Sequence, residues 1–198
     1  MPRIVVSEFL TLDGVMQAPG GADEDTSGGF TRGGWQMPYF DDIFSSTLMD
    51  AFAATEGLLL GRRTYDIFAA WWPEQSADDP LAATMNGLQK YVVSTTLSEP
   101  LAWENSRLIK TDLADEVSML KRGSGKDILV IGSGELVQSL IKLDLVDAYR
   151  LMIHPLVLGT GKRLFRDGTT PTNLRLVESK PTGTGVLILD YVPELGPA

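Results

Sequence analysis

The residues best suited to chemistry in this chain lie in short polar stretches that directly follow apolar runs. Gly132, Ser133 and Gly134 follow the apolar run 128–131 and precede a helical pattern. Glycines between a strand and a helix leave the first N–H groups of the helix pointing outward, where they and the helix dipole attract an anion. The same glycines also suit a plain tight turn, with Glu135 satisfying the helix dipole. This stretch alone leaves phosphate binding and a turn equally open.

Two further stretches place cationic and hydroxyl groups after apolar runs. Arg62, Arg63 and Thr64 follow "GLLLG", and guanidinium groups bind phosphate in a bidentate way. Acidic neighbours could pair with these arginines instead, but two adjacent arginines at the carboxyl end of a strand favour anion binding. Ser94, Thr95 and Thr96 supply hydroxyls and N–H groups after "KYVV", although such residues usually form turns.

Predicted strands and helices alternate along most of the chain and position these stretches. "RIVVSEFLTLDG" predicts a first strand that ends at an Asp-Gly turn. Further strands are predicted as apolar runs at 57–61, 90–95, 106–110, 127–132 and 147–159. Helices are predicted from apolar spacing at 39–54, 113–122 and 135–144, with another that begins at Thr64 as its N-cap.

This alternation predicts an α/β fold with three layers, in which a mostly parallel central sheet has helices on both faces. "NLRLVESK" and "VLILDYV" flank "PTGTG" and predict an antiparallel C-terminal hairpin. No repeat or long linker is visible, so residues 1–198 are interpreted as a single domain. Residues 17–35 form a long glycine-rich loop, typical of a lid or a disordered segment. Because ligands bind beyond the carboxyl ends of such strands, we expect the three polar stretches to share one ligand.

Composition excludes several classes of function. The chain has 17 basic and 26 acidic residues and a formal charge of −9, whereas nucleic-acid binding requires a basic face. Cysteine is absent and His154 is the one histidine, so we expect no metal site and a packed or interface role for His154. No apolar run approaches the ~20 residues of a membrane span, and no signal peptide is visible. We therefore expect a cytoplasmic protein with a small-molecule substrate and neither nucleic-acid nor membrane partners.

Four stretches together resemble the dihydrofolate-reductase-like superfamily, and within it the RibD C-terminal domain family, the reductase of riboflavin biosynthesis. They are "SEFLTLDGVMQ" at 7–17, "LLLGRRTYDIF" at 58–68, "YVVSTTL" at 91–97, and the more specific run from "DILVIG" to "GKRLF" at 127–165. The resemblance covers nearly the whole chain and implies a dihydrofolate-reductase-like fold, NADPH as cofactor and a homodimer. It also implies hydride transfer to a pterin-like or ribosylamino-pyrimidine substrate, as in 5-amino-6-(5-phosphoribosylamino)uracil reductase.

The resemblance assigns roles to individual residues. Arg62, Arg63 and Thr64 would meet the adenosine 2′-phosphate and the pyrophosphate side, and Ser94 would lie at the adenosine ribose or phosphate. The residues that would line the pyrophosphate and nicotinamide side are Gly132, Ser133, Gly134 and Leu136. Lys162 and Arg163 would hold an anionic group of the substrate near a subunit contact, or are plain surface charges.

Hydride transfer also requires a proton source and a surface for a flat heterocycle. Asp13, at the end of the first strand, is the candidate acid, with a pKa raised by partial burial, although Asp-Gly is also an ordinary turn signal. Asp41 and Asp42 are second choices that alternatively only balance a helix dipole. Trp35, Met37 and Tyr39 would cover the heterocycle by stacking or pin the glycine-rich loop to the core.

Two other functions stay open on sequence alone. The chain could be a catalytically silent, nucleotide-binding dimeric scaffold that retained the fold, because fold does not imply function. It could also be a dihydrofolate reductase, but the glycine-rich loop and residues 151–165 look more like the riboflavin-type branch. The zinc deaminase signature that accompanies this reductase requires cysteines and is absent, so only the reductase half is expected.

Overall fold

The structure is a computed structural model that describes residues 1–123 and 125–194, and its contacts divide the chain into two compact units. One unit consists of Met1–Val5 and Met49–Leu145, and the other of Val6–Leu48 and Val146–Ala198. The interpretation of the chain as a single domain stays a prediction.

The first unit is a succession of short apolar strands and helices. Strand β1 (Ile4–Thr11) begins in this unit and helix α1 (Asp42–Ala53) ends in it. Its other strands are β2 (Thr55–Gly61), β3 (Gln89–Val93), β4 (Ser106–Ile109) and β5 (Asp127–Ile131). Its other helices are α2 (Arg62–Trp71), α3 (Pro80–Gly87), α4 (Leu113–Lys121) and α5 (Gly134–Lys142).

Parallel pairing brings the polar stretches of this unit to one edge of the sheet. β2 lies between β3 and β5 and is parallel to both, and β4 is parallel to β3. Leu58, Leu59 and Leu60 are fully buried, as a continuous apolar run predicts for a central parallel strand. The carboxyl ends of these strands therefore lie together, which is where the sequence predicts ligand binding.

Two helix starts differ from the sequence predictions. α2 begins at Arg62 with Gly61 as its N-cap, so the prediction of Thr64 as the N-cap is wrong, and Thr64 lies inside the first turn. α3 was not predicted, although Asp79 followed by Pro80 is a strong start signal. The Asp79 carboxylate accepts hydrogen bonds from two N–H groups of the first turn of α3.

A fully buried lysine holds the end of α3. Lys90 is 0% exposed, and its Nζ donates to the main-chain oxygens of Asn86 at 2.9 Å and Met85 at 3.4 Å. The same Nζ lies 4.2 Å from the centroid of the Trp103 ring. The last carbonyls of a helix are partly negative and lack intrahelical partners, so an ammonium group is well placed there. Burial lowers the pKa of Lys90 to about 8, against the opposing effect of Glu104.

The second unit combines most of β1 with an antiparallel region. Its later strands are β6 (Ala148–His154), β7 (Leu174–Pro181) and β8 (Leu187–Pro193), and β8 is antiparallel to both β6 and β7. The predicted C-terminal hairpin is confirmed, with its turn at the "PTGTG" signal. Short 3-10 helices cover Ser27–Gly29, Met37–Tyr39 and, in the first unit, Trp72–Glu74.

The strand order is β4-β3-β2-β5 within the first unit and β6-β8-β7 within the second. The parallel pairs of the first unit and the antiparallel hairpin of the second confirm the predicted α/β class, with both parallel and antiparallel strands. In the described ranges, no helix has both the length and the apolarity that a membrane span requires.

Replacing Lys90 by methionine should change how stability depends on pH. The pKa of Lys90 falls from its usual 10.5 to about 8 in the folded chain, so the unfolded chain binds more protons between these values. The free energy of unfolding therefore rises with pH in this window, by about 2 kcal/mol between about pH 8 and pH 10 for this group alone.

Urea unfolding at the two pH values should show this rise in the wild type relative to Lys90→Met. Lys110→Met, at an exposed lysine, is the matched control and should follow the wild type. An equal pH dependence in Lys90→Met and the wild type would contradict the assignment of a depressed pKa to this amine.

Candidate functional site

The starts of α2 and α5 are hydrogen-bonded to each other at the carboxyl edge of the strands in the first unit. The main-chain N–H of Ser133 donates to Thr64 Oγ1 at 2.8 Å. The hydroxyl of Ser133 accepts from the N–H of Gly61 at 2.9 Å. These bonds join residues 69 and 72 positions apart in the chain, and they fix the 132–134 turn against the first turn of α2.

Neither of these helix starts is capped by a side chain. Ser133 is the N-cap of α5, but its side chain makes no capping bond, because its hydroxyl is engaged with Gly61 and the main-chain oxygen of Ile131. Gly61, the N-cap of α2, has no side chain that could accept a hydrogen bond from the helix. Two helix N-termini therefore lie side by side, and the N-cap residue of neither one caps its helix with a side chain, an arrangement that favours an anion.

The local geometry explains the glycine at 132 without a ligand. Gly132 has a φ of +60°, and a Cβ at this position would lie 3.0 Å from Thr64 Oγ1. Ser133 is also left-handed, with φ 58° and ψ 39°. The tight turn is therefore confirmed, while phosphate binding by this turn and Gly134 stays a prediction. Leu136 is buried on the apolar face of α5, and its contact with a nicotinamide also stays a prediction.

Arg62 lies between α2 and the turn that follows β3. Its Nη1 donates to Thr96 Oγ1 at 2.6 Å and its Nε to Asp66 Oδ2 at 3.3 Å. The buried Ser94 hydroxyl accepts from the N–H groups of Thr96 and Leu97 at 3.2 and 3.1 Å. Ser94 therefore builds the turn that Arg62 contacts, and its role toward a ribose or phosphate stays a prediction.

The charge at this edge is mixed. The Arg62 side chain is 52% exposed and its partner Asp66 is 50% exposed, and an exposed ion pair of this type contributes little to stability. An incoming phosphate can therefore displace Asp66 at small cost. Arg63 is exposed in the same first turn of α2, whereas Glu135 in the first turn of α5 opposes an anion bound there.

In the second unit, the carboxylate of Asp13 is fully engaged. Oδ1 accepts from the Thr11 hydroxyl at 2.6 Å and the N–H of Leu158 at 3.1 Å. Oδ2 accepts from the N–H of Gly159 at 2.8 Å and Arg163 Nη2 at 3.3 Å. Desolvation raises the pKa of Asp13, but these hydrogen bonds lower it to about 2. The expectation of a raised pKa is therefore wrong. The hydrogen bonds show Asp13 holding the main chain at Leu158 and Gly159. Its role as proton donor stays a prediction.

Lys162 and Arg163, the predicted substrate-binding cations, are both paired within this unit. Lys162 Nζ donates to Asp25 Oδ2 at 2.5 Å and to the Ser27 hydroxyl at 2.6 Å. Arg163 Nε donates to the main-chain oxygen of Asp13 at 2.7 Å. Desolvation raises the pKa of Asp25, but the hydrogen bonds from Lys162 and Ser27 outweigh it and lower the pKa. An anionic substrate must compete with these acids, so substrate binding here stays a prediction.

The glycine-rich segment 17–35 contains a small apolar core instead of being loose. Trp35, Phe30, Ala18 and Val15 form a buried cluster, and Trp35 Nε1 donates to the main-chain oxygen of Gln17 at 2.8 Å. This packing differs from the expectation of a disordered loop. It supports the alternative in which Trp35 pins the segment, and stacking of Trp35 on a substrate stays a prediction.

Sequence reasoning missed Gln17, which ties this segment together. The side chain is buried, and its Nε2 donates to the main-chain oxygens of Asp25 and Ser27, each at 3.0 Å. Its Oε1 accepts from the N–H of Lys162 at 3.0 Å. A buried amide that is satisfied at both ends fixes the path of the chain, but a lone glutamine carries no sequence signal for such a role.

Asp41, a second choice for the acid, serves the start of α1. Its Oδ1 accepts from the N–H of Phe44 at 2.8 Å, and its Oδ2 accepts from the N–H of Thr184 in the β7–β8 turn at 3.1 Å. The hydrogen bond from Phe44 is the largest cause that lowers the pKa of Asp41. The interpretation of Asp41 as a partner of the helix start is therefore favoured over a proton donor.

His154 is enclosed by aromatic rings in the second unit. It is fully buried, and its Nδ1 lies 2.9 Å from the main-chain oxygen of Met152 and 3.2 Å from that of Leu10. Two carbonyl acceptors require the proton on Nδ1, which leaves Nε2 as an acceptor without a partner among the described residues. The rings around it, with centroids 5.1 to 6.1 Å away, belong to Trp35, Tyr39, Phe44 and Phe9. This burial agrees with the predicted packed role.

Comparison with known proteins adds a family match over almost the whole chain. Residues 2–188 match the RibD C-terminal domain family. The chain is 31% identical over 197 residues to the uncharacterized protein YyaP of Bacillus subtilis (strain 168), covering 96% of this chain and 94% of YyaP. It is 28% identical over 145 residues to the uncharacterized protein YwjB of the same organism, covering 72% of this chain and 76% of YwjB.

Solved structures of low sequence identity share the fold. A putative riboflavin biosynthesis protein from Shewanella sp. PV-4 has a TM-score of 0.69 at 22% identity, covering 97% of this chain and 99% of that one. A pyrimidine reductase-like protein from Corynebacterium diphtheriae has a TM-score of 0.61 at 13% identity, covering 98% and 93%.

A two-function protein from Thermotoga maritima extends beyond this chain. It is a diaminohydroxyphosphoribosylaminopyrimidine deaminase/5-amino-6-(5-phosphoribosylamino)uracil reductase, with a TM-score of 0.61 at 14% identity. The match covers 97% of this chain but 56% of that protein. The chain therefore corresponds in fold to only part of the two-function protein.

Replacing His154 by phenylalanine should change how the free energy of unfolding depends on pH below neutrality. Burial lowers the pKa of His154 below its usual 6.5, so the unfolded chain binds more protons in the window below 6.5. The stability that the neutral imidazole contributes is present above that pH and is lost as the pH falls toward the lower folded value. The advantage of the wild type over His154→Phe in urea unfolding should therefore shrink on acidification from neutral pH. A constant difference would show that His154 is not held neutral by the fold.

Proposed function

The chain belongs to the RibD C-terminal domain family, and we propose that it is an NADPH-dependent reductase. The observation that carries this proposal is the pair of uncapped helix starts of α2 and α5, with the Arg62 guanidinium beside them. In a chain of net charge −9, this arrangement concentrates N–H donors and cationic groups at the carboxyl edge of a parallel sheet. Phosphate groups bind at such edges.

The donor set of this edge fits a nucleotide that carries phosphates at two separate places. Arg62 and Arg63 would hold the adenosine 2′-phosphate, because guanidinium groups bind phosphate in a bidentate way. The N–H groups of the 132–134 turn would hold the pyrophosphate, with Thr64 keeping that turn in place and Leu136 alongside. Ser94 would position the turn that meets the adenosine ribose or phosphate.

NADPH, when bound, supplies the hydride, and the protein has to orient the reacting carbon atoms and deliver a proton. The proposed substrate is a pterin-like or ribosylamino-pyrimidine compound, a class supported by the names of two structural neighbours. Because Asp13 is ionised well below neutral pH, an ordered water is favoured over this carboxylate as the immediate proton source. Asp13 would instead hold the 158–163 segment in position. Lys162, Arg163 and Trp35 would contact the substrate.

A catalytically silent nucleotide-binding protein is the second candidate. The observation that favours it is that three of the predicted catalytic or substrate-binding charges are paired with other protein groups, namely Asp13, Lys162 and Arg163. The two candidates differ in one measurement. A reductase oxidises NADPH in the presence of an aminopyrimidine, pterin or folate substrate, whereas the silent protein binds NADPH without oxidising it.

Reversing the charge of both arginines should abolish most NADPH affinity. Two charge-assisted contacts to one phosphate are worth roughly 3 kcal/mol, so Arg62→Glu with Arg63→Glu should weaken NADPH binding by about 100-fold. NADH lacks the 2′-phosphate, and its affinity should change much less. Cofactor fluorescence titration measures both constants.

Arg122→Glu, at an exposed arginine after α4, is the control for a general change in charge and should leave NADPH affinity close to that of the wild type. Circular dichroism should show that each variant retains its fold. Unchanged NADPH affinity in the folded double variant would refute the proposed cofactor site.

We also propose that the chain forms a homodimer through one apolar face of the antiparallel strands. Leu187, Leu189 and Tyr191 alternate along one face of β8, and the strand register places Leu176 of β7 opposite Tyr191. Leu176 and Leu187 are 47% and 43% exposed, whereas Ile188 on the other face is buried. A second copy that covers these side chains would remove apolar surface from water.

The outer edge of β7 is poorly suited to a dimer contact by strand pairing, whereas the apolar face described above suits packing against a second copy. The register with β8 shifts between Leu176 and Glu178, which marks a bulge at Val177, and the charged Glu178 and Lys180 follow. Bulges and charges on an outer strand disfavour pairing with a second strand. The proposed contact is therefore face to face and isologous.

Leu176→Lys with Leu187→Lys should convert the proposed dimer into a monomer, because two like charges per copy would meet across the proposed contact. Light scattering during size-exclusion chromatography gives the mass. Val157→Lys introduces a charge at an apolar residue that is 67% exposed and does not belong to this face, so it should leave the mass unchanged. A monomeric wild type would refute the proposal.

A further inference from the structure

Arg62 lies at a position where its positive charge opposes the helix dipole. It is the first residue of α2, and Arg63 follows it in the same first turn. The N-terminus of a helix is its positive end, so cations there are unfavourable and anions are favourable. Two adjacent arginines at this end therefore require a negative partner. Asp66, one turn further along α2, supplies a carboxylate within reach of Arg62.

The contact between Arg62 and Asp66 is long and exposed. Arg62 Nε donates to Asp66 Oδ2 at 3.3 Å, and the two side chains are 52% and 50% exposed. An acid four residues after its cation is also the less favourable order on a helix. Arg150 and Asp190 show the full contact in this chain, because Nε and Nη2 donate to the two carboxylate oxygens at 2.7 and 2.9 Å. Asp66 meets the same edge of its arginine through one long bond.

A neutral group holds a different part of the same guanidinium. Arg62 Nη1 donates to Thr96 Oγ1 at 2.6 Å, and the Thr96 hydroxyl lies 3.2 Å from that of the buried Ser94. This contact does not use the Nε–Nη2 edge, so the guanidinium can stay in place when Asp66 leaves it. The Nε–Nη2 edge has the spacing for two parallel hydrogen bonds to a phosphate. Asp66 therefore covers an edge that suits phosphate binding, and Thr96 keeps that edge in position.

We propose that Asp66 sets how strongly the chain distinguishes NADPH from NADH, by competing with the adenosine 2′-phosphate for Arg62. This inference rests on the cofactor site of the proposed function. A phosphate monoester carries about two negative charges at neutral pH, so it displaces the singly charged carboxylate, whereas the 2′-hydroxyl of NADH does not. Thr96 is a positioning residue, because it holds the guanidinium while the negative partner changes.

Asp66→Asn should tighten NADPH binding, because the amide neither pairs with the guanidinium as an ion nor repels the phosphate. The strength of an exposed ion pair corresponds to a gain of about 3-fold in NADPH affinity, and NADH affinity should change much less. Cofactor fluorescence titration at low ionic strength, where screening is weak, measures both constants. Asp50→Asn removes the same charge from an exposed residue in the last turn of α1 and should leave both affinities at the wild-type values.

Two further variants test whether Asp66 acts through the arginine. In an Arg62→Gln background, Asp66→Asn should lose most of its gain in NADPH affinity, because the group for which the carboxylate competes is absent. Thr96→Val should act in the opposite direction and weaken NADPH binding about 3-fold, because the guanidinium loses the hydrogen bond that positions it. Asp66→Ser removes the carboxylate with a different side chain and should reproduce the gain of Asp66→Asn. Circular dichroism should show that each variant retains its fold.

The outcomes separate this inference from the proposed function. A wild type that binds no NADPH would refute the cofactor site and, with it, the competition at Arg62. A wild type that binds NADPH, with unchanged or weaker binding in both Asp66→Asn and Asp66→Ser, would refute the competition alone. An equal gain for NADH, or an undiminished gain in the Arg62→Gln background, would also overturn it, because the carboxylate would then act on the cofactor in general and not through the arginine.

Discussion

The exchange of hydrogen bonds among Gly61, Thr64 and Ser133 is the constraint on which the candidate site depends. Ser133 accepts from the N–H of Gly61 through its hydroxyl and donates its own N–H to Thr64 Oγ1, so α2 and α5 begin in a fixed relation to each other. Because the Ser133 hydroxyl is used in this exchange, it cannot cap its own helix. The geometry that stabilises the turn is therefore the same geometry that leaves positive helix ends uncapped at the sheet edge.

The parts of the fold that could be predicted are those in which local pattern and tertiary environment agree. "GLLLG" is apolar throughout because β2 has strands on both sides, and the "PTGTG" turn lies between two runs that do pair. Gly132 was expected at a tight turn, and its left-handed φ confirms that expectation. Arg62 was expected at the carboxyl edge, and its contact with Thr96 agrees with that position. NADPH as the ligand of this edge is implied by the family resemblance, because helix starts and guanidinium groups recognise phosphate in general and not one nucleotide.

The parts that could not be predicted depend on partners distant in sequence. Asp13 looked like a potential acid, but the N–H groups of Leu158 and Gly159, which lower its pKa, come from far along the chain. Lys90 is a charged residue at a strand start, and only the carbonyls at the end of α3 and the Trp103 ring explain its full burial. Gln17 similarly orders a glycine-rich segment whose composition suggests disorder. In each case, tertiary hydrogen bonding overrides what residue type and spacing indicate.

The uncapped pair of helix starts also has a practical consequence for how this protein should be handled. Main-chain N–H groups and a helix dipole recognise the charge and oxygen atoms of an anion and not the molecule to which they are attached. Inorganic phosphate or sulfate in a buffer would therefore compete with NADPH at the proposed cofactor site. Apparent affinities will depend on the choice of buffer salt, and anion-poor solutions are the appropriate reference state.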